Sequence, residues 1–320
     1  MVELALYHPQ FGFYETGGSA GRAGDFLTSP EVGPLFGAVL ARALDAWWSE
    51  LGEPEPFTVV EAGAGRGTLA RSVLAAAPAC GPALRYIAVE RAAALRAGHP
   101  AGVESVATIP GAPFAGVVLA NELLDNLPFG LLERTAGGWA EVQVDAALAE
   151  VLVPVGSFDS PVAGRQPFDG PVGGRVPVQR AAREWVERAR ALARPGRVVA
   201  IDYADTTESM ARRPWTDWAR TYRNHGRGSH PLVDLGRQDI TCEVAVDQLP
   251  APASNRSQAE FLRAHGIDEL AAEARRAWHE RAHIGDLQAL KSRSRVHEAA
   301  ALTDETGLGA FRVLEWAQGV

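Results

Sequence analysis

The stretch Val59-Val60-Glu61-Ala62-Gly63-Ala64-Gly65-Arg66-Gly67-Thr68-Leu69 sets three alternating glycines directly after an apolar run. Glycines in such a place let the chain reverse tightly and let a ligand approach bare backbone. The helix that follows offers unpaired N–H groups. Spacing discriminates between ligands. A dinucleotide fingerprint needs G-x-G-x-x-G, whereas the third glycine here comes one residue early and position 68 is Thr. A phosphate loop needs a Gly-Lys-Ser/Thr ending, which is also absent.

The pattern acidic-x-G-x-G-x-G is instead that of S-adenosylmethionine-dependent methyltransferases, whose ligand carries an amino-acid carboxylate and a sulfonium. Gly63, Gly65 and Gly67, with Thr68 and Leu69 opening the helix, are therefore candidate cofactor residues; the alternative is a purely structural turn. Glu61 lies under the loop, where it can orient backbone amides or meet the ligand's ammonium group. Glu90, ending the next apolar run, can accept both ribose hydroxyls; the alternative is a solvated strand-end carboxylate. A third candidate segment is Ala120-Asn121-Glu122-Leu123-Leu124-Asp125-Asn126-Leu127-Pro128. Methyl transfer is an in-line displacement at carbon, so the protein must align the nucleophile and manage its proton. Asn121 and Glu122 are placed to face the reacting methyl group, and a carboxylate there can hold a guanidinium or ammonium. Glu122 and Asp125 are equally explained as caps of the following turn.

The elements that must position these residues follow from periodicity. Phe57–Ala62, Arg85–Glu90, Val103–Ala107 and Ala115–Ala120 read as short buried strands, with a helix over Arg66–Ala77. Val178–Arg194 reads as a helix and Val198–Tyr203 as a fifth strand. Alternation of this kind specifies a parallel sheet covered on both faces, with ligands at the carboxyl ends of its strands. Residues 129–134 and 139–144 flank Gly137-Gly138 as a hairpin on that sheet. Before the sheet, residues 1–30 read as a structured loop, and a long amphipathic helix runs from an N-cap at Ser29 to Gly52. The Pro/Gly-rich stretch 154–177 reads as a surface excursion. Helical patterns return near 257–265 and 268–283, and Phe311–Trp316 reads as a last strand. The expected units are an arm (1–55), a core (56–204), a substrate-side insertion with helices (205–300) and a final strand (301–320).

Composition narrows the class. The 320 residues carry 39 acidic and 31 basic side chains, for a formal charge of −8, and 47% are hydrophobic, enough for a sizeable core. Acidic balance argues against a general phosphate-backbone binder, so no nucleic acid is expected. No apolar run reaches the roughly 20 residues of a membrane span. Two cysteines, Cys80 and Cys242, make neither a disulfide scaffold nor a zinc site, and no metal is expected. With no export or transit signal at the N-terminus, a cytoplasmic location is expected. Arg212–Gln238 holds six arginines among Trp215, Trp218 and Tyr222. It reads as a substrate-side insertion whose arginines pair locally, the alternative being a surface for an acidic partner or single-stranded nucleic acid. His225 is a candidate proton acceptor within it.

Taken together, the sequence resembles the MidA family of S-adenosylmethionine-dependent methyltransferases, which includes the mitochondrial complex I assembly factor. The resemblance rests on Leu6-Tyr7-His8-Pro9 with Gly12-Phe13-Tyr14, on Gly24-Asp25-Phe26-Leu27-Thr28-Ser29-Pro30-Glu31, and on the glycine loop. Ala120 to Pro128, Ile201-Asp202-Tyr203 and Asp239-Ile240-Thr241 follow in order. It implies that the Gly24–Glu31 segment folds over the cofactor, which adds Gly24, Asp25, Thr28 and Ser29 as cofactor-side residues. Two departures stand out: Ala64 replaces the commoner proline, and the helix usual before Tyr-His-Pro is short or missing.

The sequence thus specifies an α/β protein with a Rossmann-like class I methyltransferase sheet, an N-terminal arm and mid-chain insertions forming a substrate-side subdomain. The expected cofactor is S-adenosyl-L-methionine. The expected function, implied by the resemblance, is methyl transfer to a protein arginine nitrogen. The alternatives are a small-molecule methyltransferase and a non-catalytic assembly or scaffold protein. The oligomeric state is left open.

Overall fold

A computed structural model describes residues 1–16, 28–155, 170–223 and 226–319. The chain opens on α1 (Val2–Tyr7), α2 (Ser29–Val32) and α3 (Pro34–Glu50). Strands and helices then alternate as β1 (Phe57–Ala62), α4 (Thr68–Ala75), β2 (Leu84–Val89), α5 (Ala93–Arg96), β3 (Glu104–Val106) and β4 (Phe114–Asn121). Next come β5 (Gly130–Thr135), β6 (Gly138–Val144), β7 (Glu150–Pro154), β8 (Arg175–Val178), α6 (Arg180–Leu192) and β9 (Ala193–Asp202). A smaller module holds β10 (Ala204–Asp205), α7 (Thr207–Ala211), β11 (Ala219–Arg223), β12 (Gly226–Arg227), β13 (Asp239–Cys242) and β14 (Val244–Ala245). The chain closes with β15 (Ser254–Ser257), α8 (Gln258–Ala264), α9 (Ile267–Arg281), α10 (Leu287–Leu302) and β16 (Arg312–Gln318).

The central sheet has the order β15-β16-β9-β4-β1-β2-β3. β3, β2, β1, β4 and β9 are parallel, and β16 runs against both its neighbours. β1 is buried along its whole length, Thr58 and Glu61 included, as a central strand of such a sheet is. One face is covered by α3, α4 and the helices α8 to α10 through Phe36, Trp47, Val73, Phe261 and Leu302; the other carries α6, with Val186 against Val118 and Trp316. After β3 the chain returns to the far side of β1 to form β4. The crevice at the carboxyl ends of β1 and β4 is therefore the topological switch point, where such sheets bind ligands.

Several elements differ from the sequence-based reading, each for a non-local reason. Residues 2–7 form a helix, not a loop, because Val2, Ala5 and Leu6 pack with Phe13 and Ile240. Thr28, not Ser29, precedes the helical turn, and the long helix is broken at Gly33-Pro34. There Glu298, from α10, accepts the Leu35 N–H at 3.0 Å and caps α3. The β5–β6 hairpin belongs to a separate antiparallel sheet, β7-β6-β5-β8, not to the parallel one. The boundary expected at residue 301 falls inside α10, and α8 to α10 pack on the core face with α3 instead of walling the crevice.

Candidate active site

The glycine loop continues directly from β1. Gly63, Gly65 and Gly67 all take left-handed backbone angles (φ 71°, 54° and 72°), which explains why three residues without a Cβ alternate here. The Ala64 N–H donates to Val89 O at 3.0 Å and the Gly67 N–H to Ala64 O at 2.8 Å, so the loop is tied to β2 and then curls into α4. A Cβ on Gly65 would meet nothing within 4 Å, whereas one on Gly67 would come 2.9 Å from Pro100 Cδ.

Glu90, just past β2, grips the loop. Its Oε2 accepts the Gly65 N–H at 3.0 Å and its Oε1 accepts the Ala92 N–H at 2.8 Å. Burial raises its pKa, and those amide bonds oppose the rise. Each carboxylate oxygen keeps a second acceptor site for a ligand hydroxyl. Glu61 is buried beneath the loop, with the Tyr86 hydroxyl donating to its Oε2 at 2.7 Å, and burial pushes its pKa up to about 7. The Thr68 hydroxyl donates to Glu31 at 2.7 Å, which joins α2 to the start of α4.

At the end of β4, Glu122 adopts a left-handed backbone (φ 51°) while its N–H donates to Ile201 O on β9. Its Oε1 accepts the Ser29 N–H at 3.2 Å and the Asn121 side-chain amide at 3.1 Å. Among the described residues, its Oε2 is buried without a partner, and so is Asn121 Oδ1. Burial, and then the neighbouring Asp125 charge, push the Glu122 pKa up to about 8.

Behind this pair lies a group of buried acids. Asp202 accepts the N–H groups of Leu124 and Asp125 on one oxygen and that of Tyr203 on the other. Asp239 accepts from Tyr14 O–H at 3.0 Å and from the Asn126 amide at 3.1 Å. The Tyr7 hydroxyl donates to Asn126 O at 2.9 Å, and the Tyr7 and Tyr14 rings stack 5.6 Å apart. Residues 1–16 are thereby fastened across the crevice. Arg91 adds a clasp, with its guanidinium 5.2 Å from the Tyr7 ring and 3.5 Å from Glu15.

A cavity of about 680 Å³ occupies the switch point, a size that suits a nucleoside ligand together with an acceptor side chain. Of the sequence-derived candidates, Thr28, Glu61, Gly63, Gly65, Thr68, Leu69, Glu90, Asn121 and Glu122 border it. Three others do not. Ser29 turns its hydroxyl to Gln258 at 2.9 Å and is wholly buried. Gly67 shapes the turn from behind, and Asp125 sits in the acid group behind the wall. Gly24, Asp25 and His225 lie outside the described residues. Tyr7, Tyr14 and Asn126, which also border the cavity, were not singled out as site residues; the signal was their place inside the family-like strings. Arginines of the 212–237 segment pair locally, Arg213 with Asp205 and Glu243 and Arg220 with Glu243.

A sheet in which one strand alone runs backwards, with bare left-handed peptide and a carboxylate side by side at its ligand edge, is the class I S-adenosylmethionine-dependent methyltransferase fold. The comparisons narrow this. Residues 39–265 match the profile of the family described as "Putative S-adenosyl-L-methionine-dependent methyltransferase", and the chain belongs to that family. A Burkholderia thailandensis protein solved bound to S-adenosyl-homocysteine superposes with a TM-score of 0.81 at 29% identity, covering 100% of this chain and 87% of that one. A protein named as the mitochondrial protein arginine methyltransferase NDUFAF7 homolog of Drosophila melanogaster is 28% identical over 75% of this chain. The chain spans 62% of that relative's length. The Mus musculus NDUFAF7 protein, named likewise, is 25% identical over 83% of this chain and 70% of its own. Both relatives are mitochondrial by name, which lends no support to the cytoplasmic expectation. No helix among the described residues is long and apolar enough to cross a membrane.

The cofactor of the family fits the residues present. The glycine loop and Glu90 border the cavity, and two buried acceptors, on Asn121 and Glu122, stand without partners among the described residues.

Proposed function

We propose that this chain methylates a nitrogen of a protein arginine. The observation that carries the reading is a pair of buried acceptors, Glu122 Oε2 and Asn121 Oδ1, that have no partner among the described residues and belong to residues bordering the cavity at the glycine loop. A buried acceptor without a donor is costly, and a guanidinium offers five donors in a planar fork able to satisfy both. The names of the curated relatives support the same acceptor class; neither the small-molecule nor the scaffold alternative has such support.

In this reading Gly63 and Gly65, lacking a Cβ, let the cofactor's amino-acid end approach the loop closely, and Glu90, which also holds the Gly65 N–H, takes its ribose hydroxyls. S-adenosylmethionine, when bound, supplies an electrophilic methyl group. The chain's own work falls to Glu122 and Asn121. Ionised Glu122 orients the guanidinium so that one nitrogen lone pair points along the displacement axis, and it accepts the proton that this nitrogen sheds. Asn121 Oδ1 fixes the plane of the group. The Tyr7–Tyr14 stack, held by Asn126 and Asp239, keeps water from the reacting centre.

The test is transfer of radiolabelled methyl from S-adenosylmethionine into proteins of a cell lysate, followed by acid hydrolysis. Label in methylarginine is the expected result; label confined to small molecules, or no label, overturns the reading. A reducing compartment is part of the proposal, because Cys80 and Cys242 are both free and buried, and the cytoplasm is the one we propose. Cell fractionation with an antibody to the protein checks it.

A further inference from the structure

The cavity does not end at Glu122. It runs past Glu3, Pro128 and Glu184 into a second hollow of about 880 Å³. That hollow shares Val2, Phe129 and Glu141 with a third, of about 450 Å³. The three form one groove between α1 and the start of α6, over residues of β5 and β6. Phe129, Leu132, Val155 and Val178 give it an apolar lining. Its charge leans negative: Glu3, Glu141 and Glu184 line the second hollow against Arg180 and the Met1 ammonium. Glu3 and Glu184 are exposed and, among the described residues, have no ion-pair partner; Glu141 accepts only the side-chain amide of Gln143.

A metabolite-sized acceptor needs only the first hollow, and an acidic rim repels phosphate backbones. An elongated channel with an apolar lining and unpaired carboxylates matches an extended polypeptide that carries basic side chains. We propose that this groove seats the polypeptide on either side of the acceptor residue, with apolar side chains over Phe129 and Val178 and basic ones against Glu3, Glu141 and Glu184. The proposal rests on the protein-arginine reading for what enters at Glu122, and on the groove alone for what lies beyond.

The probe is a fluorescein-labelled twelve-residue peptide with one central arginine between leucines and flanking lysines, titrated by anisotropy with S-adenosylhomocysteine saturating. It is expected to bind at least tenfold tighter than the same peptide with glutamates for lysines, and to weaken as salt rises. Glu141→Lys, outside the cofactor cavity, is expected to cost at least threefold in peptide affinity while calorimetric affinity for S-adenosylhomocysteine stays within twofold. Adding Glu184→Lys is expected to bring the loss to tenfold or more. Equal binding of the two peptides, or unchanged binding by both variants, overturns the groove. So does a dimer in sedimentation that the double variant dissolves, since the face would then belong to a second copy of the chain. A peptide with Gln for the central arginine separates the two readings: retained, Glu141-dependent binding supports the groove even if no methylarginine forms.

Discussion

Glu122 holds an unusual balance of forces. Its backbone is left-handed, one oxygen is committed to Ser29 and Asn121, and the other is buried and, among the described residues, unpaired. With a pKa near 8 it is largely protonated at neutrality until a cation arrives to favour its ionised form. Activity measured as kcat/KM is therefore expected to rise with pH along a limb centred near 8. Glu122→Gln should lower kcat roughly 100-fold and abolish that limb while leaving the Kd for S-adenosylhomocysteine within about twofold. Unchanged turnover would remove it from acceptor positioning. Stability carries the same signature. The folded chain binds this proton more tightly than the unfolded one, whose value is 4.5, so stability is lost as pH climbs from there to about 8. Relative to the parent, Glu122→Gln should gain stability across that window and level off above it, as read by urea midpoints at several pH values. Glu90 acts differently, as both a loop tether and a ligand acceptor. Glu90→Ala is expected to weaken S-adenosylmethionine binding by about 1.5–3 kcal/mol by calorimetry, and an unaltered Kd would exclude it from the site.

At the scale of elements, the sheet depends on two close approaches. Gly116 on β4 and Gly196 on β9 have φ of 152° and 159°, and a Cβ on Gly116 would lie 1.8 Å from the Thr58 carbonyl oxygen of β1. Gly116→Ala must push β4 from β1 near the amino ends of the two strands, away from the crevice, so a loss of stability on the order of 3 kcal/mol or more is expected from denaturant unfolding. A loss under 1 kcal/mol would show that the strands can shift freely. Legibility in the sequence divides along similar lines. β1 could be bounded at Phe57 and Ala62 because Phe57, Val59, Val60 and Ala62 form a short, mostly apolar segment that stops at the glycines, and the loop because only glycine takes its turns easily. The β7 strand could not, since Glu150–Pro154 is exposed throughout and shows no alternation. Ser29 had the chemistry of a cap, yet α3 is capped by Glu298, 263 residues away from Leu35. The Tyr14–Asp239 and Asn126–Asp239 bonds span 225 and 113 positions. Local pattern carries no trace of such closures; only the resemblance of whole strings placed those residues on the same map.

For the whole molecule, the consequence is that the site exists only when distant parts of the chain are joined. Residues 1–16, the β1 and β2 ends and the β4 turn meet at one cavity, and Asp239 of β13 holds Tyr14 and Asn126 in its wall. Ligand binding should therefore stabilise the fold as a unit. At 100 times its Kd, S-adenosylhomocysteine is expected to add about 2.7 kcal/mol, seen as one sharper, higher thermal transition by calorimetry. A separate early transition that ignores the ligand would show the arm and the sheet unfolding independently.

The left-handed glycine loop has a genetic counterpart. Every single-nucleotide change that alters a glycine codon without creating a stop installs a side chain, so no one-step missense route preserves the geometry at positions 63, 65 and 67. The damage should differ by address. Both positions hold left-handed backbone that a side chain strains, but Gly65 faces open space while Gly67 also abuts Pro100, so replacements at Gly65 should lower abundance less than those at Gly67 while still erasing ligand capture. A saturation scan scored separately for protein level and for ligand capture would draw the outline of the loop without any coordinates.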